Sequence, residues 1–203
     1  DHLDDVNTVD ELKFLDHYGV AAKVRMPVKT YHFVHHTHTD SGWIETMGIY
    51  SKLYVDSIIA NNSKFLMDNP DSPLAKFSYT NMDYPWDFKK RFPELWPTFR
   101  ASVLSGRMRL LNDGVVMPDQ ALPYFEDLIN VYEYGREFGL KEFGNMTRIG
   151  WHVDTFGQSA TMARLLADMG YDFQGVNRIF LSIRDQIELS GNYFLNWKQD
   201  YKN

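Results

Sequence analysis

The spacing of apolar and polar positions changes repeatedly along the chain, and each change predicts a new element. Val9 to Tyr18 has the pattern of a short helix closing at Gly19, and Tyr31-His32-Phe33-Val34 alternates as a strand does. A long helical stretch follows from Ile44 to Asn61, with Met47, Tyr50, Leu53, Tyr54, Ser57 and Ile58 near one face. Asn69-Pro70-Asp71-Ser72-Pro73 is a turn, and Lys76 to Asn81 a second strand with Phe77 and Tyr79 sharing a face. Trp86 to Ser105 is helical, interrupted at Pro93 and Pro97 and ended by Gly106. Arg109 to Asn112 forms a third strand, Asp119 to Phe138 a helix closed around Gly139 and Gly144, and Arg148 to Val153 a fourth strand. Ser159 to Met169 is a helix ending at Gly170, and Val176-Asn177-Arg178 begins or ends a fifth strand.

Strand and helix therefore alternate, which predicts an α/β fold: a parallel sheet or partial (β/α) barrel with crossover helices. Residues 1–28 form a polar lead-in, and 29–203 carry the domain. No internal repeat or low-complexity tract interrupts it. In such folds, chemistry gathers at the carboxyl ends of strands. His38 to Asp40, Asp119 and Asp154 all fall just after predicted strands.

Composition narrows the partners more than the fold. With 44% apolar and 24% charged residues, the 203-residue chain has ordinary globular content and enough length for a core. The net charge of −6 and the lack of a basic face argue against nucleic acid. Lys89-Lys90-Arg91, flanked by Asp87 and Glu94, reads as a solvated helix surface. No run approaches the roughly 18 apolar residues of a membrane span. The opening Asp1-His2-Leu3-Asp4-Asp5 is acidic, unlike a secretory leader, although a trimmed N-terminus is compatible with it. The 15% aromatic content suits core packing first and an aromatic-lined cleft second. With no cysteine, a metal would have to be held by imidazole and carboxylate, and 7 His are present. The triplets at Asn61 and Asn145 (Asn61-Asn62-Ser63, Asn145-Met146-Thr147) are acceptor patterns for glycosylation.

Two constellations carry candidate chemistry. In His36-x-His38-x-Asp40-x-Gly42-Trp43, an extended backbone would turn His36, His38 and Asp40 the same way. Imidazole nitrogen and carboxylate oxygen are suitable zinc ligands. Gly42 would allow a tight exit from the strand, and Trp43 could stack on a sugar ring. The same residues would also suit a strand-end histidine cluster hydrogen-bonded to a structural aspartate. In Trp151-His152-Val153-Asp154-Thr155-Phe156-Gly157-Gln158-Ser159, Asp154 ends a strand before a helix opens. It is placed as a ligand, as a nucleophile, or as a capping residue.

Together the HxHxDxGW pattern at 36–43 and the WHxDxFGxS pattern at 151–159 resemble glycoside hydrolase family 38, the α-mannosidases, with His152 nearer the lysosomal type. The resemblance runs through Asp113-Gly114-Val115-Val116-Met117-Pro118-Asp119-Gln120-Ala121, Asn177-Arg178 and Phe194-Leu195-Asn196-Trp197. It implies that His38, Asp40 and Asp154 bind Zn²⁺, and that Asp154 is also the catalytic nucleophile of a retaining hydrolysis of terminal α-mannosyl residues. It implies that Trp43 closes over the mannose and Arg178 lies near the nucleophile, with structural roles for His36 and His152. Departures are His35, Val115, Gln120, Thr155 and Gln158, where relatives commonly have Pro, Trp, Glu, Pro and His. A fourth ligand, a His, and the general acid, an Asp, lie further along in relatives. Other chains of the same precursor, or further sequence, would supply them; Asp119 is the weaker local alternative for the acid. The implied substrates are mannose-containing glycans in a lysosomal or other acidic secretory-pathway compartment. Two rivals stand beside this reading: another zinc-dependent carbohydrate hydrolase of deacetylase type, and a glycan-binding subunit without turnover.

Overall fold

The computed structural model describes residues 33–191 and 193–197, together with the backbone of two short strands ahead of them. Those strands, β1 (Leu12–Leu15) and β2 (Ala21–Val24), pair antiparallel with Leu12 opposite Val24. They replace the helix expected over Val9 to Tyr18. An isolated ten-residue helix is marginal in water, whereas pairing two segments satisfies their backbone groups mutually. Tyr31 and His32 of the expected first strand lie outside the described residues. Phe33 and Val34 belong to no strand. Pairing begins two residues later, where His36 bridges Ser78 in parallel and Ser78 donates its N–H to the His35 carbonyl at 2.8 Å.

The sheet grows from there. Strand β3 (Phe77–Thr80) pairs in parallel with β4 (Met108–Leu111), and β5 (Ile149–His152) in parallel with β6 (Phe173–Val176). Between the two pairs the ladder is irregular. Asn112 and Asp113 have left-handed backbones, φ 72° and 52°, which turn the chain out of the sheet. The Asn112 N–H still donates to the Ile149 carbonyl at 2.9 Å, and its side-chain Oδ1 accepts from the Trp151 N–H at 3.2 Å. A side chain thus continues what the ladder drops.

The crossover helices are α1 (Met47–Tyr50), α2 (Asp56–Asp68), α3 (Asp83–Arg91), α4 (Trp96–Leu104), α5 (Phe125–Phe143) and α6 (Ala160–Asp168). A π-helical turn, Ser51–Val55, joins α1 to α2. Met47 and Tyr50 of the expected face pack against the core, and the face departs from expectation at this turn. Ser51, Val55, Ile59, Ser63 and Leu66 are buried, whereas Leu53 and Tyr54 stand exposed. The wider turn, with its i→i+5 hydrogen bonds, shifts the phase of the residues that follow it. Pro93 divides the expected Trp86–Ser105 helix into α3 and α4, and Pro97 sits in the first turn of α4, where a missing N–H costs nothing. Helix α5 starts at Phe125, not Asp119: Pro123 disfavours helical backbone at Leu122, and Gln120 is committed to side-chain bonds described below. Helix α7 (Leu181–Ser190) was not anticipated and buries none of its side chains.

The main core lies between α2, α3, α4, α5 and β3, with Val55, Ile59, Leu66, Tyr79, Phe88, Trp96, Phe99, Phe138 and Phe143 at its centre. Trp86 stacks on Phe138 at 5.5 Å. Part of the aromatic content is therefore packing, while Phe33, Trp43, Phe156, Phe180 and Phe194 stand exposed. A smaller core joins Leu128 and Tyr132 of α5 to Met162, Leu166 and Tyr171. The Lys89-Lys90-Arg91 cluster is not simply solvated: Lys89 pairs with the buried Glu142, and Arg91 grips both oxygens of Asp56 at 2.6 Å.

Candidate active site and metal centre

The expected ligands come from two places separated by more than a hundred residues. His38 and Asp40 lie on the segment leaving the His36 bridge, and Asp154 lies two residues past β5. One ligand atom from each falls within 4.8 Å of the others. His38 Nε2 stands 3.3 Å from Asp154 Oδ2 and 3.9 Å from Asp40 Oδ1. A tetrahedral ion with ligands at 2.0–2.1 Å holds neighbouring donors about 3.4 Å apart, so the three atoms fit a zinc ion with little adjustment. His36 does not join them. It sits edge-on against Trp151 at 5.2 Å and its Nδ1 lies 3.0 Å from the Thr37 carbonyl.

An open cleft of about 570 Å³ surrounds the cluster, and its walls include Trp43, Asn81, Val116, Met117, Phe156 and Arg178. The Arg178 guanidinium, just past β6, binds Asp154 Oδ1. The two Asp154 oxygens thus face different partners, His38 on one side and Arg178 on the other. Trp43 is 79% exposed at the mouth and free to lie against a ligand. Asp119 is not among the lining residues, and among the described residues the carboxyls that line the cleft are Asp40 and Asp154. Asn61 is exposed within α2, and Asn145 is exposed just past α5, its Oδ1 accepting the Met146 N–H.

Two residues before Asp154, His152 is held in a buried polar network. His152 has no exposed surface. The Tyr132 hydroxyl donates to Asn112 Oδ1 at 3.0 Å, so it accepts from His152 Nε2 at 2.7 Å, and the ring proton sits on Nε2. His152 Nδ1 then accepts from the amide nitrogens of Gln174 at 2.7 Å and Gln120 at 3.1 Å. Both amides also donate to Gln158 Oε1, and Gln120 Oε1 accepts the Ser159 N–H at 2.6 Å. Burial lowers the imidazole to about 4, consistent with this neutral form. Gln120 and Gln158, departures from the family pattern, are therefore one another's partners.

Sequence reading missed the residues that grip the ligand segment. Thr80 and Thr37 bond reciprocally: the Thr80 N–H donates to Thr37 Oγ1 at 3.0 Å, and Thr80 Oγ1 to the Thr37 carbonyl at 2.7 Å. The Tyr84 hydroxyl donates to the Asp40 carbonyl at 2.6 Å, and the Ser41 hydroxyl to Asp83 Oδ2. Burial pushes the Asp83 carboxyl up to about 6, with the Ser41 bond opposing. These residues follow β3, so the strand-end rule that picked out Asp154 could have found them.

The cleft thus lies at the carboxyl ends of parallel strands and is lined by imidazole, carboxylates, guanidinium and indole. The description "Glycosyl hydrolases family 38 N-terminal domain" matches residues 29–202, and the chain belongs to that α-mannosidase family. It is 33% identical over 150 residues to a lysosomal alpha-mannosidase of Dictyostelium discoideum, covering 70% of this chain and 15% of that protein. It is 30% identical over 168 residues to alpha-mannosidase F of the same organism, covering 82% of this chain and 17% of that one. With alpha-mannosidase 2 of Mus musculus the identity is 29% over 175 residues, 83% of this chain and 14% of that protein. An alpha-mannosidase structure from Enterococcus faecalis V583 shares the fold, with TM-score 0.62 and 18% identity over 70% of this chain and 16% of that one. The chain thus spans about a sixth of the length of these relatives.

Proposed function

We propose that this chain is the zinc-binding N-terminal part of a retaining exo-α-mannosidase acting on terminal α-mannosyl residues of N-glycans and related oligosaccharides. The convergence of His38, Asp40 and Asp154 within 4.8 Å supports this reading most directly. A bound Zn²⁺ would serve as Lewis acid and template for adjacent sugar hydroxyls. Asp154 is the nucleophile. One carboxylate oxygen attacks the anomeric carbon as the bond to the leaving-group oxygen breaks, and the glycosyl ester formed is later hydrolysed by water. A carboxylate has about four lone-pair sites, so engagement by His38's neighbourhood and by Arg178 leaves one for attack. Arg178 holds the carboxylate in orientation, and Trp43 closes over the sugar face.

The leaving-group oxygen needs a proton from an acid about 5–5.5 Å from the nucleophile. Since the lining carboxyls are Asp40 and Asp154, we assign the acid and the fourth zinc ligand to further sequence or to companion chains of the same precursor. The lysosomal names of several relatives support a lysosomal or other acidic compartment for this protein. No helix among the described residues is long and apolar enough to cross a membrane.

The test is incubation of the complete, zinc-loaded protein with a slow-turnover fluorinated α-mannoside, followed by peptide mass mapping. A glycosyl adduct on Asp154 is expected. An unlabelled Asp154 with release of acetate from an acetylated glycan would establish the deacetylase instead, and mannose binding without turnover would establish a glycan-binding subunit.

A further inference from the structure

The segment carrying His38 and Asp40 belongs to no helix or strand between residues 37 and 46, apart from single bridges. Asp40 is half exposed at its side chain. Something must keep its carboxylate in register with His38 and Asp154, because a ligand free to swing loses ordering entropy on every binding event. The start of α3 supplies the fixed frame. The Met82 N–H donates to the Gly114 carbonyl at 3.0 Å and the Asp83 N–H to the Val115 carbonyl at 3.1 Å. Met82, Tyr84 and Phe88 are buried in the main core. Two consecutive residues of this frame reach across to the ligand segment: Tyr84 to the Asp40 carbonyl and Asp83 to the Ser41 hydroxyl.

Asp83 is costly where it stands. It is 7% exposed, and among the described residues its Oδ1 has no hydrogen-bond partner. A buried carboxylate satisfied on one oxygen alone destabilises the fold relative to an apolar residue of similar size. Its place in the first turn of α3 offsets part of that cost, and its side-chain bond across to the ligand segment is the one to Ser41.

We propose that Asp83 and Tyr84 are positioning residues that clamp the Asp40–Ser41 segment, one through the Ser41 hydroxyl and one through the Asp40 carbonyl, and so hold the Asp40 carboxylate in the geometry that binds zinc. This rests on the zinc site proposed above. Outer partners that orient a ligand typically change metal affinity by about 10–100-fold when removed. The clamp is a pair of independent bonds, one to a carbonyl and one to a hydroxyl. Each can be removed without disturbing the core: Tyr84→Phe keeps the buried ring, and Ser41→Ala removes the hydroxyl alone.

The experiment measures the rate at which zinc passes from the whole protein to a chelator, well below the melting temperature, for wild type, Tyr84→Phe, Ser41→Ala, Asp83→Ala and Asp83→Asn. Tyr84→Phe, Ser41→Ala and Asp83→Ala are expected to release zinc about tenfold faster. Asp83→Asn retains an oxygen to accept the Ser41 hydroxyl and is expected within about twofold of wild type. Ser41→Ala combined with Asp83→Ala should be no faster than either alone, since both remove one bond. Release rates unchanged in Tyr84→Phe and Ser41→Ala, whatever happens to melting temperature, overturn the clamp. A wild-type protein that takes up no zinc overturns the proposed function itself, and the clamp with it.

Discussion

Asp154 divides its two oxygens between a metal-side neighbour, His38, and a guanidinium, Arg178. Replacing it with Asn keeps the shape but removes the proposed nucleophile and one charge from the proposed ligand set. Asp154→Asn is expected to lower kcat on a chromogenic α-mannoside by roughly a thousandfold or more, with the fold intact by circular dichroism. Asp113 is a different kind of carboxylate. It is 1% exposed, accepts the Thr147 N–H at 2.6 Å, and burial raises it to about 7 although Arg136 opposes this. Between the ordinary 3.8 and about 7, the folded protein keeps a proton that the unfolded chain has released. The stability this group contributes is therefore present below pH 4 and lost as pH rises through 7. Asp113→Asn preserves the bond to Thr147 and suits the left-handed backbone, so its denaturation midpoint should fall less than wild type's between pH 5 and pH 8.

At the scale of elements, the phase of a helix and the approach of two segments decided what local pattern could not. The π turn at Ser51–Val55 moved the buried stripe from Leu53 and Tyr54 to Ser51 and Val55. Apolar spacing counted at 3.6 residues per turn cannot register such a change, since it depends on hydrogen bonds skipping one residue. Gly135 shows the same dependence on tertiary approach. It lies within α5, where glycine is unfavourable by about 1 kcal/mol, yet a Cβ there would overlap the Asp113 carbonyl and lie 2.7 Å from the Gly114 carbon. Gly135→Ala should therefore lower stability by about 1–3 kcal/mol despite its better helix propensity, readable as a drop in the denaturation midpoint.

At the scale of the whole molecule, Asn112 joins the two halves of the sheet. Its Oδ1 accepts from Trp151 N–H and Tyr132 hydroxyl, its Nδ2 donates to Asn81 Oδ1 at 3.1 Å, and its carbonyl accepts from Tyr171 at 2.8 Å. Asn112→Ala would leave three buried polar groups without their partner, and destabilisation of about 2–4 kcal/mol is expected by urea denaturation. Zinc should act in the opposite sense. An ion bound to the folded protein alone stabilises it by about 2.7 kcal/mol at a hundredfold excess over its dissociation constant, so chelation is expected to lower Tm and zinc to restore it.

Sequence alone determined the alternation of strand and helix, the family, and the identities of His38, Asp40 and Asp154 as candidates, because period, glycine and proline punctuation and motif spacing are local properties. Its strands at 76–81, 109–112 and 148–153 match β3, β4 and β5 to within two residues at each end, and its helix at 159–169 matches α6 with Ser159 as its cap. It did not determine the β1–β2 hairpin, the start of α5, or the existence of α7, since each depends on which distant backbone or side chain takes up the local groups. Tertiary structure alone brought the imidazole of residue 38 to 3.3 Å from the carboxylate of residue 154 and set Asp83 against Ser41 and Tyr84 against Asp40. Those pairings join residues 42 to 116 positions apart, and only closing the chain around a shared core pays the entropy of holding them together.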